Sequence, residues 1–139
     1  MKIDLIDNPS DETINVLSEK LAAFTQAQRE VSARYPIAVV ITDSQENIIA
    51  GAEGVSFGDW FHLNSLWLDK PLRGQGYGSK ILQKIEQAAK KRGCKSCLLT
   101  TLDFQAKPFY QKHGYQVVWC QEDYPKTGCK YFMSKKFSD

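Results

Sequence analysis

The sequence predicts a mixed α/β fold, and three observations lead to it. Residues 77–93 carry an apolar stripe at helical spacing, with lysines off the stripe. Short apolar runs bounded by turn residues stand before this segment and after it. Strands on both sides of helices imply one mixed sheet with helices packed on it. A chain of 139 residues fits one domain, so we expect a single domain over residues 1–139.

The N-terminal half is predicted to contain three strands and one helix. Residues 1–6 alternate apolar and polar side chains, as a half-buried strand does. Asn8 is the expected N-cap of the helix and Pro9 its first residue, and apolar residues recur at helical spacing to about Val31. The two later strands are residues 37–42 and 48–55.

The C-terminal half alternates strands with helices. Its longest helix starts at Tyr77 and ends before Gly93, because a left-handed glycine is typical of a helix C-terminus. A short helix is expected from about Gln105 to Gly114, with Pro108 in its first turn. The predicted strands are residues 60–68, 97–101, 115–121 and 131–135.

Composition and charge exclude several classes of protein. Basic and acidic residues nearly balance, with a formal net charge of +2, whereas a general nucleic-acid binder is strongly basic. The basic residues of the long helix are therefore interpreted as a solvated face: Lys80, Lys84, Lys90, Lys91 and Arg92. Because no apolar run could span a bilayer and the N-terminus lacks the apolar region of a signal peptide, we expect a cytoplasmic protein without nucleic-acid or membrane partners.

Cysteine spacing allows a metal or redox site but favours neither. The four cysteines are Cys94, Cys97, Cys120 and Cys129. Cys94 and Cys97 form a C-x-x-C pair, yet the two histidines, His62 and His113, do not stand at zinc-finger spacing. We therefore expect reduced, partly buried thiols and no metal site.

A glycine-rich turn precedes the long helix, with the sequence Arg-Gly-Gln-Gly-Tyr-Gly-Ser over residues 73–79. Such a turn exposes backbone N–H groups at the positive end of a helix dipole, which suits a phosphate. Arg73 and Lys80 could add charge-assisted hydrogen bonds. The turn has neither the Gly-Lys-Ser/Thr of a Walker A loop nor the G-x-G-x-x-G spacing of a dinucleotide site.

Two motifs stand in order around a strand. Arg73-x-x-Gly76-x-Gly78 follows an apolar strand, and residues 106–115 read Ala-Lys-Pro-Phe-Tyr-Gln-Lys-His-Gly-Tyr. They resemble the acyl-CoA pyrophosphate loop and the A-x-x-F/L-Y-x-K-x-G-F/Y motif of the GCN5-related N-acetyltransferase (GNAT) family, in particular its small bacterial members. The resemblance implies a mostly antiparallel central sheet with a splayed parallel strand pair, flanked by helices. It also implies an N-acetyltransferase that uses acetyl-CoA as cosubstrate and no metal.

The resemblance further implies roles for individual residues. Acetyl-CoA would lie between the strand ending near Leu68 and the next strand, with its diphosphate on the glycine turn. Tyr110 stands at the position of the general acid that serves the departing CoA thiolate. Asp103 differs from the Asn that relatives often carry, which puts its role as a cofactor ligand in doubt. The implied cofactor-binding residues are Leu66, Leu68, Arg73, Gly74, Gln75, Gly76, Tyr77, Gly78, Ser79, Ala106 and Phe109.

The acetyl acceptor needs a base, and His62 is the candidate, with Glu53 on the preceding strand as the second. A histidine between two apolar residues is also typical of a structural residue. Residues 121–125 concentrate acid near an aromatic residue and would attract a cationic amine or form a solvated turn. We expect a small-molecule amine as the acceptor.

Three further points stay open from the sequence. The tryptophans either line an acceptor pocket or belong to the core; they are Trp60, Trp67 and Trp119. The last two strands could pair across a homodimer. The rival to an enzyme is a non-catalytic module that binds acyl-CoA but has no turnover.

Overall fold

The structure is a computed structural model that describes residues 1–28 and 33–138. It divides into two compact units, residues 1–32 and 33–139, and each unit is described by itself. The single domain expected over residues 1–139 stays a prediction.

The first unit contains the helix α1 (Asp11–Gln28). Its N-terminus is closed by Ser10, whose Oγ accepts a hydrogen bond from the N–H of Thr13 at 3.3 Å. The predicted cap at Asn8 is therefore wrong, because Asn8 takes a φ of 50° and the Ser10 hydroxyl stands closer to the free N–H groups. The predicted helix end at Val31 lies outside the described residues.

The strand predicted over residues 1–6 is also wrong. These residues have no regular secondary structure, and their side chains are exposed. Alternation of apolar and polar residues makes a strand only where a neighbouring strand completes the backbone hydrogen bonds. Over residues 1–6, the described part of the chain offers no such ladder.

The second unit is a mixed sheet with helices, as predicted. Its strands are β1 (Tyr35–Thr42), β2 (Ile48–Phe57), β3 (Trp60–Leu68), β4 (Ser96–Leu102), β5 (Gln116–Tyr124) and β6 (Gly128–Lys136). The strand order is β1-β2-β3-β4-β6-β5. Only β3 and β4 run parallel among the described neighbouring strands, which matches the sheet that the resemblance implies.

Helix α2 (Tyr77–Lys91) packs on one face of this sheet through its apolar stripe. Burial of each large apolar side chain stabilises the fold by about 2 kcal/mol, so the stripe fixes which face of the helix meets the sheet. Gly93 follows with a φ of +95°, which confirms the predicted C-terminus. The core shared by helix and strands includes Phe61, Leu63, Ile81, Leu82, Ile85, Leu99 and Met133. No helix in the described ranges is long and apolar enough to cross a membrane.

The parallel strands β3 and β4 are hydrogen-bonded at one end only. Residues 60–63 pair with residues 96–99, whereas β3 keeps its pairing with β2 as far as Leu68. A register shift between Glu53 and Gly54 marks an irregularity in the β2–β3 ladder just where β3 leaves β4. The two strands therefore separate toward their C-terminal ends.

Most predicted element boundaries differ from the observed ones by a few residues. The short helix α3 (Lys107–Lys112) begins later than predicted, because Gln105 closes a turn in which its Oε1 accepts the N–H of Leu102 at 2.7 Å. Strands β5 and β6 are longer than predicted, since their ladder continues to the pair Tyr124 and Gly128. The bounds of β3 agree with the prediction.

Candidate active site

The glycine turn and the N-terminus of α2 form a cradle of main-chain N–H groups. The N-cap of α2 is Gly76, and no side chain caps the helix. Its first main-chain hydrogen bond runs from the N–H of Lys80 to the carbonyl of Gly76, at 3.2 Å. The N–H groups of Tyr77, Gly78 and Ser79 thus belong to the helix end that lacks partners within the helix. Together with the helix dipole, they favour an anion such as a phosphate.

Two glycines of the turn are required by the backbone conformation. Gly74 and Gly76 have φ angles of +77° and +85°, and a Cβ at either position would meet no atom within 4 Å. Glycine is therefore required at both positions by the backbone conformation and not by lack of space, since residues with a Cβ rarely adopt such φ angles. At Gly78 a Cβ would lie 3.4 Å from the ring of Phe109, which is ordinary contact. The turn thus takes its shape from Gly74 and Gly76 and touches α3 at Gly78.

The side chains of the turn are held by neighbouring backbone groups. Arg73 donates from Nε to the carbonyl of Leu68 at 2.9 Å, and its guanidinium lies 4.8 Å from the centre of the Trp67 ring. Gln75 donates from Nε2 to the carbonyl of Pro71 at 2.7 Å. These contacts fix the loop between β3 and α2, so its N–H groups are preorganised for a ligand.

The gap between the separating ends of β3 and β4 leads to this cradle. Leu66 and Leu68 lie on the separating part of β3, and their side chains pack against the core. Their backbone pairs with β2 at Ala52 and Ala50. Ligands of sheets with parallel strands bind at the C-terminal ends of the strands. An extended ligand could therefore lie along β3 and reach the glycine turn.

Helix α3 packs beside the glycine turn. The ring of Phe109 lies against Gly78, and Leu68 approaches the same glycine. The N–H of Ala106 donates to Thr101 Oγ1 at 3.2 Å, which fixes the start of α3 at the end of β4. The structure thus brings the two sequence motifs together at one end of the sheet.

Tyr110 is buried in α3, with 7% of its surface exposed. Its ring packs edge-on against Phe109 and Tyr115, with ring centres 5.2 and 5.7 Å away. Burial, and to a smaller extent the neighbouring Cys97 thiol, raises the pKa of Tyr110 to about 12. The hydroxyl is therefore protonated at neutral pH and can donate a hydrogen bond.

A hydrogen bond that the sequence analysis missed joins the two motifs. Ser79 Oγ lies 2.8 Å from His113 Nε2. The imidazole packs on Phe109, with ring centres 4.9 Å apart. The one available sequence signal was the spacing of four residues between Phe109 and His113, which places both on one side of a helical turn.

A partly buried charged cluster, also missed, anchors the ring on which Tyr110 packs. Tyr115 donates from its hydroxyl to Glu86 Oε2 at 2.6 Å, and Lys135 Nζ donates to Glu86 Oε1 at 3.0 Å. Burial raises the pKa of Tyr115, and the nearby Cys97 thiol raises it further. The cluster ties α2 to β6. Its signal in the sequence was the charged Glu86 on the apolar stripe of α2.

The two candidate bases lie on the sheet face that α2 does not cover. His62 is exposed while both of its chain neighbours are buried, and Glu53 is exposed between buried residues of β2. Asn64 donates from Nδ2 to Glu53 Oε1 at 3.4 Å. Tyr110 instead belongs to the core beneath α2. The structure therefore brings His62 and Glu53 to one face and leaves Tyr110 on the other.

The three tryptophans are not core residues, so that alternative is wrong. Their exposed fractions are 49% for Trp60, 58% for Trp67 and 56% for Trp119. Trp67 donates from its indole nitrogen to Asp69 Oδ1 at 2.9 Å. Trp119 packs on Phe132, with ring centres 5.1 Å apart. Each tryptophan therefore presents part of its ring to solvent.

The cysteines fall into two environments. Cys94 and Cys97 are buried, whereas Cys120 and Cys129 are half-buried on the last two strands. Burial raises the pKa of Cys97 to about 12, so this thiol is protonated and unreactive at neutral pH. The carboxylate of Asp103 lies close to the hairpin of β5 and β6: a Cβ added at Gly128 would be 3.2 Å from its Oδ1. Among the described side chains, no three that could ligate a metal converge.

Comparison with known sequences finds relatives over most of the chain. The profile of the acetyltransferase (GNAT) family matches residues 5–115. Blasticidin-S acetyltransferase from Streptomyces morookaense is 36% identical over 78 residues, which are 55% of this chain and 57% of that protein. The match therefore spans little more than half the length of this curated relative.

Comparison with solved structures finds the same fold. An acetyltransferase from Bacillus cereus superposes with a TM-score of 0.87 at 29% identity, covering 96% of this chain and 98% of its own. An aminoglycoside 6'-N-acetyltransferase complexed with coenzyme A gives a TM-score of 0.67 at 17% identity, covering 100% and 98%. At that identity the second likeness is one of fold alone.

Proposed function

Because the chain belongs to the acetyltransferase (GNAT) family, we propose that it transfers the acetyl group of acetyl-CoA to a primary amine of a small molecule. The amine attacks the thioester directly while both substrates are bound. One juxtaposition carries the proposal: the gap between β3 and β4, the N–H cradle of the glycine turn and helix α3, which contains Tyr110, all lie at one end of the sheet.

Acetyl-CoA binds with its diphosphate on the glycine turn and its pantetheine along β3. The N–H groups of the turn supply the anion site, and each hydrogen bond to a charged group contributes about 1.5–3 kcal/mol. The backbone of Leu66 and Leu68 holds the pantetheine on the side of β3 that faces away from β2. The thioester then lies where β3 and β4 separate. An amine attacks a thioester without the help of a metal ion.

Tyr110 serves the leaving group. As the amine nitrogen bonds to the acetyl carbon, the C–S bond breaks and negative charge develops on sulfur. The pKa of about 12 keeps the Tyr110 hydroxyl protonated, so it donates a hydrogen bond to the developing thiolate. The proton that the amine loses passes to the base.

His62 is the proposed base, and Glu53 is the alternative. Both are exposed on the sheet face opposite α2. An imidazole titrates close to neutral pH, which suits the removal of a proton from an ammonium group. His62→Ala and Glu53→Gln variants assign the base, since only the loss of the true base removes the acidic limb of the pH–rate profile.

The proposed acceptor is a small cationic amine. Relatives with related sequence or fold are named for blasticidin S and for aminoglycosides. In this chain, exposed Glu122 and Asp123 on the last hairpin favour a cation, and the exposed rings of Trp60 and Trp119 could stack on one.

The test measures CoA release with a thiol reagent, using polyamines, amino acids, aminoglycosides, nucleoside antibiotics and lysine peptides as acceptors. A protein-only control subtracts the reaction of the four cysteines. We expect Tyr110→Phe to lower the rate with the best amine about 100-fold while leaving CoA affinity unchanged. Tyr35→Phe, at an exposed position of β1, is the matched control.

Two other outcomes have distinct meanings. Tight CoA binding in calorimetry without release by any amine would indicate the non-catalytic acyl-CoA-binding module. Absence of CoA binding would contradict the assignment of the glycine turn as a diphosphate site.

Assembly and location belong to the same proposal. Strand β5 is an edge of the sheet, and Val118 on it is 59% exposed. Pairing of β5 across two copies would form a homodimer, which Val118→Lys should dissociate in light scattering. We propose a cytoplasmic location, where thiols stay reduced.

A further inference from the structure

We propose that His113 is a positioning residue for the diphosphate of acyl-CoA and that it acts through the hydroxyl of Ser79. The inference rests on the proposed function, since it takes the N-terminus of α2 as the diphosphate site. It adds a side chain from the residue after α3 to a cradle that otherwise consists of main-chain N–H groups.

The geometry joins His113 to the first turn of α2. Ser79 Oγ lies 2.8 Å from His113 Nε2, and both residues are half-buried. The imidazole is held by Phe109, with ring centres 4.9 Å apart, and the N–H of His113 donates to the carbonyl of Tyr110 at 3.0 Å. Side chains on a helix lean toward its N-terminus, so the Ser79 hydroxyl stands on the side of the anion cradle.

The direction of this hydrogen bond decides what Ser79 can offer to an anion. A serine hydroxyl has one proton. If Ser79 gives that proton to Nε2, its oxygen presents only lone pairs to a phosphate. If the Nε2–H of His113 donates to Ser79 Oγ, the Ser79 proton is free to donate to a phosphate oxygen.

A bound diphosphate therefore selects the arrangement in which His113 donates. The chain of hydrogen bonds then runs from His113 to Ser79 to the phosphate, and each bond polarises the next. Both the imidazolium and the neutral imidazole with its proton on Nε2 have the required N–H. The role of His113 is thus to orient the Ser79 hydroxyl. Loss of this role should lower the affinity for the diphosphate.

Three variants test this role by calorimetric titration with CoA. His113→Phe keeps a ring against Phe109 but has no donor, and Ser79→Ala removes the hydroxyl; we expect each to weaken CoA binding about tenfold. His113→Gln keeps an N–H donor, so we expect its affinity to stay within about twofold of the unmodified protein. The double variant should bind no more weakly than Ser79→Ala alone, because the two residues act as one unit.

A second readout separates this role from a structural one. S-acetylpantetheine lacks the diphosphate, so its turnover should be the same in all variants. Additive losses in the double variant, unchanged CoA affinity in His113→Phe, or an equal loss with S-acetylpantetheine would each overturn the inference. If the unmodified protein binds no CoA, the proposed function fails and this inference fails with it. CoA binding that is indifferent to His113 refutes this inference alone.

Discussion

The two ends of the β3–β4 pair are made from the same strands but have different properties. At the N-terminal end, residues 60–63 pair with residues 96–99, and Phe61 and Leu63 are buried. At the C-terminal end the strands separate, and β3 is paired with β2 as far as Leu68. The first end completes its own hydrogen bonds, and the second leaves backbone groups that a ligand can complete. Substitutions should therefore change stability at one end and ligand binding or turnover at the other.

The largest effect is expected at the closed end. Phe61→Ala removes a side chain with 0% exposure, which should lower the free energy of unfolding by about 3–5 kcal/mol. Urea denaturation measures it. Trp60→Ala is the matched control on the same strand, and with 49% of Trp60 exposed we expect about 1 kcal/mol or less. Equal losses of unfolding free energy in the two variants would show that burial of Phe61 does not determine stability at this end.

Next in size is the anchor of Tyr115, whose partner Lys135 pairs with Cys97 of β4 and therefore lies beside the closed end. Glu86→Gln leaves Lys135 without its ion pair, which should destabilise the fold by about 3 kcal/mol. It should also slow turnover, because the Tyr115 ring supports Tyr110. Gln87→Ala, at an exposed position of α2, is the control for both the melting temperature and the rate. A stable Glu86→Gln variant with full activity would mean that Tyr110 needs no such anchor.

A smaller effect is expected in the glycine turn. Gly76→Ala places a Cβ on a residue with a φ of +85°, which costs about 1–2 kcal/mol and should weaken CoA binding about tenfold if the turn must relax. Calorimetry measures the affinity. Gly93→Ala introduces the same strain at the other end of α2, at a φ of +95°, and should lower stability while leaving CoA affinity unchanged. Loss of CoA binding in both variants would contradict a specific role for the turn.

The smallest effect concerns alkaline pH. The pKa of Tyr110 is raised to about 12 in the folded protein, whereas an unfolded tyrosine ionises at about 10. The folded state therefore holds its proton longer, and stability is lost as pH rises from about 10 toward 12. At about pH 11, Tyr110→Phe should have lost about 1 kcal/mol less than the unmodified protein, measured by denaturant titration at each pH. If both proteins lose stability equally as the pH rises, folding does not raise the pKa of Tyr110.

Local patterns predicted most of the second unit. The apolar run of β3 and the stripe of α2 are properties of adjacent residues, and both elements formed where the sequence placed them. Residues 1–6 have an equally regular alternation, yet a strand also needs a distant partner, which no local pattern reveals. The N-cap is Ser10 and not the predicted Asn8 for a similar reason, because neighbouring polar residues compete for the same N–H groups.

The site was predicted in part, through its two motifs. The positive φ angles of Gly74 and Gly76 agree with what a glycine-rich turn suggests. The contacts between motifs were not predicted: the bond from Ser79 to His113 spans 34 residues, and that from Tyr115 to Glu86 spans 29. Such pairs depend on how the residues between α3 and β5 pack against α2, which the sequence does not state.

Backbone hydrogen exchange with and without CoA tests the central claim most directly. CoA is expected to slow exchange at the N–H groups of residues 66–68 and 74–79, with little change at residues 60–63, which the sheet already protects. Protection spread evenly over β3, or confined to another face of the sheet, would contradict a cofactor site in the gap between β3 and β4.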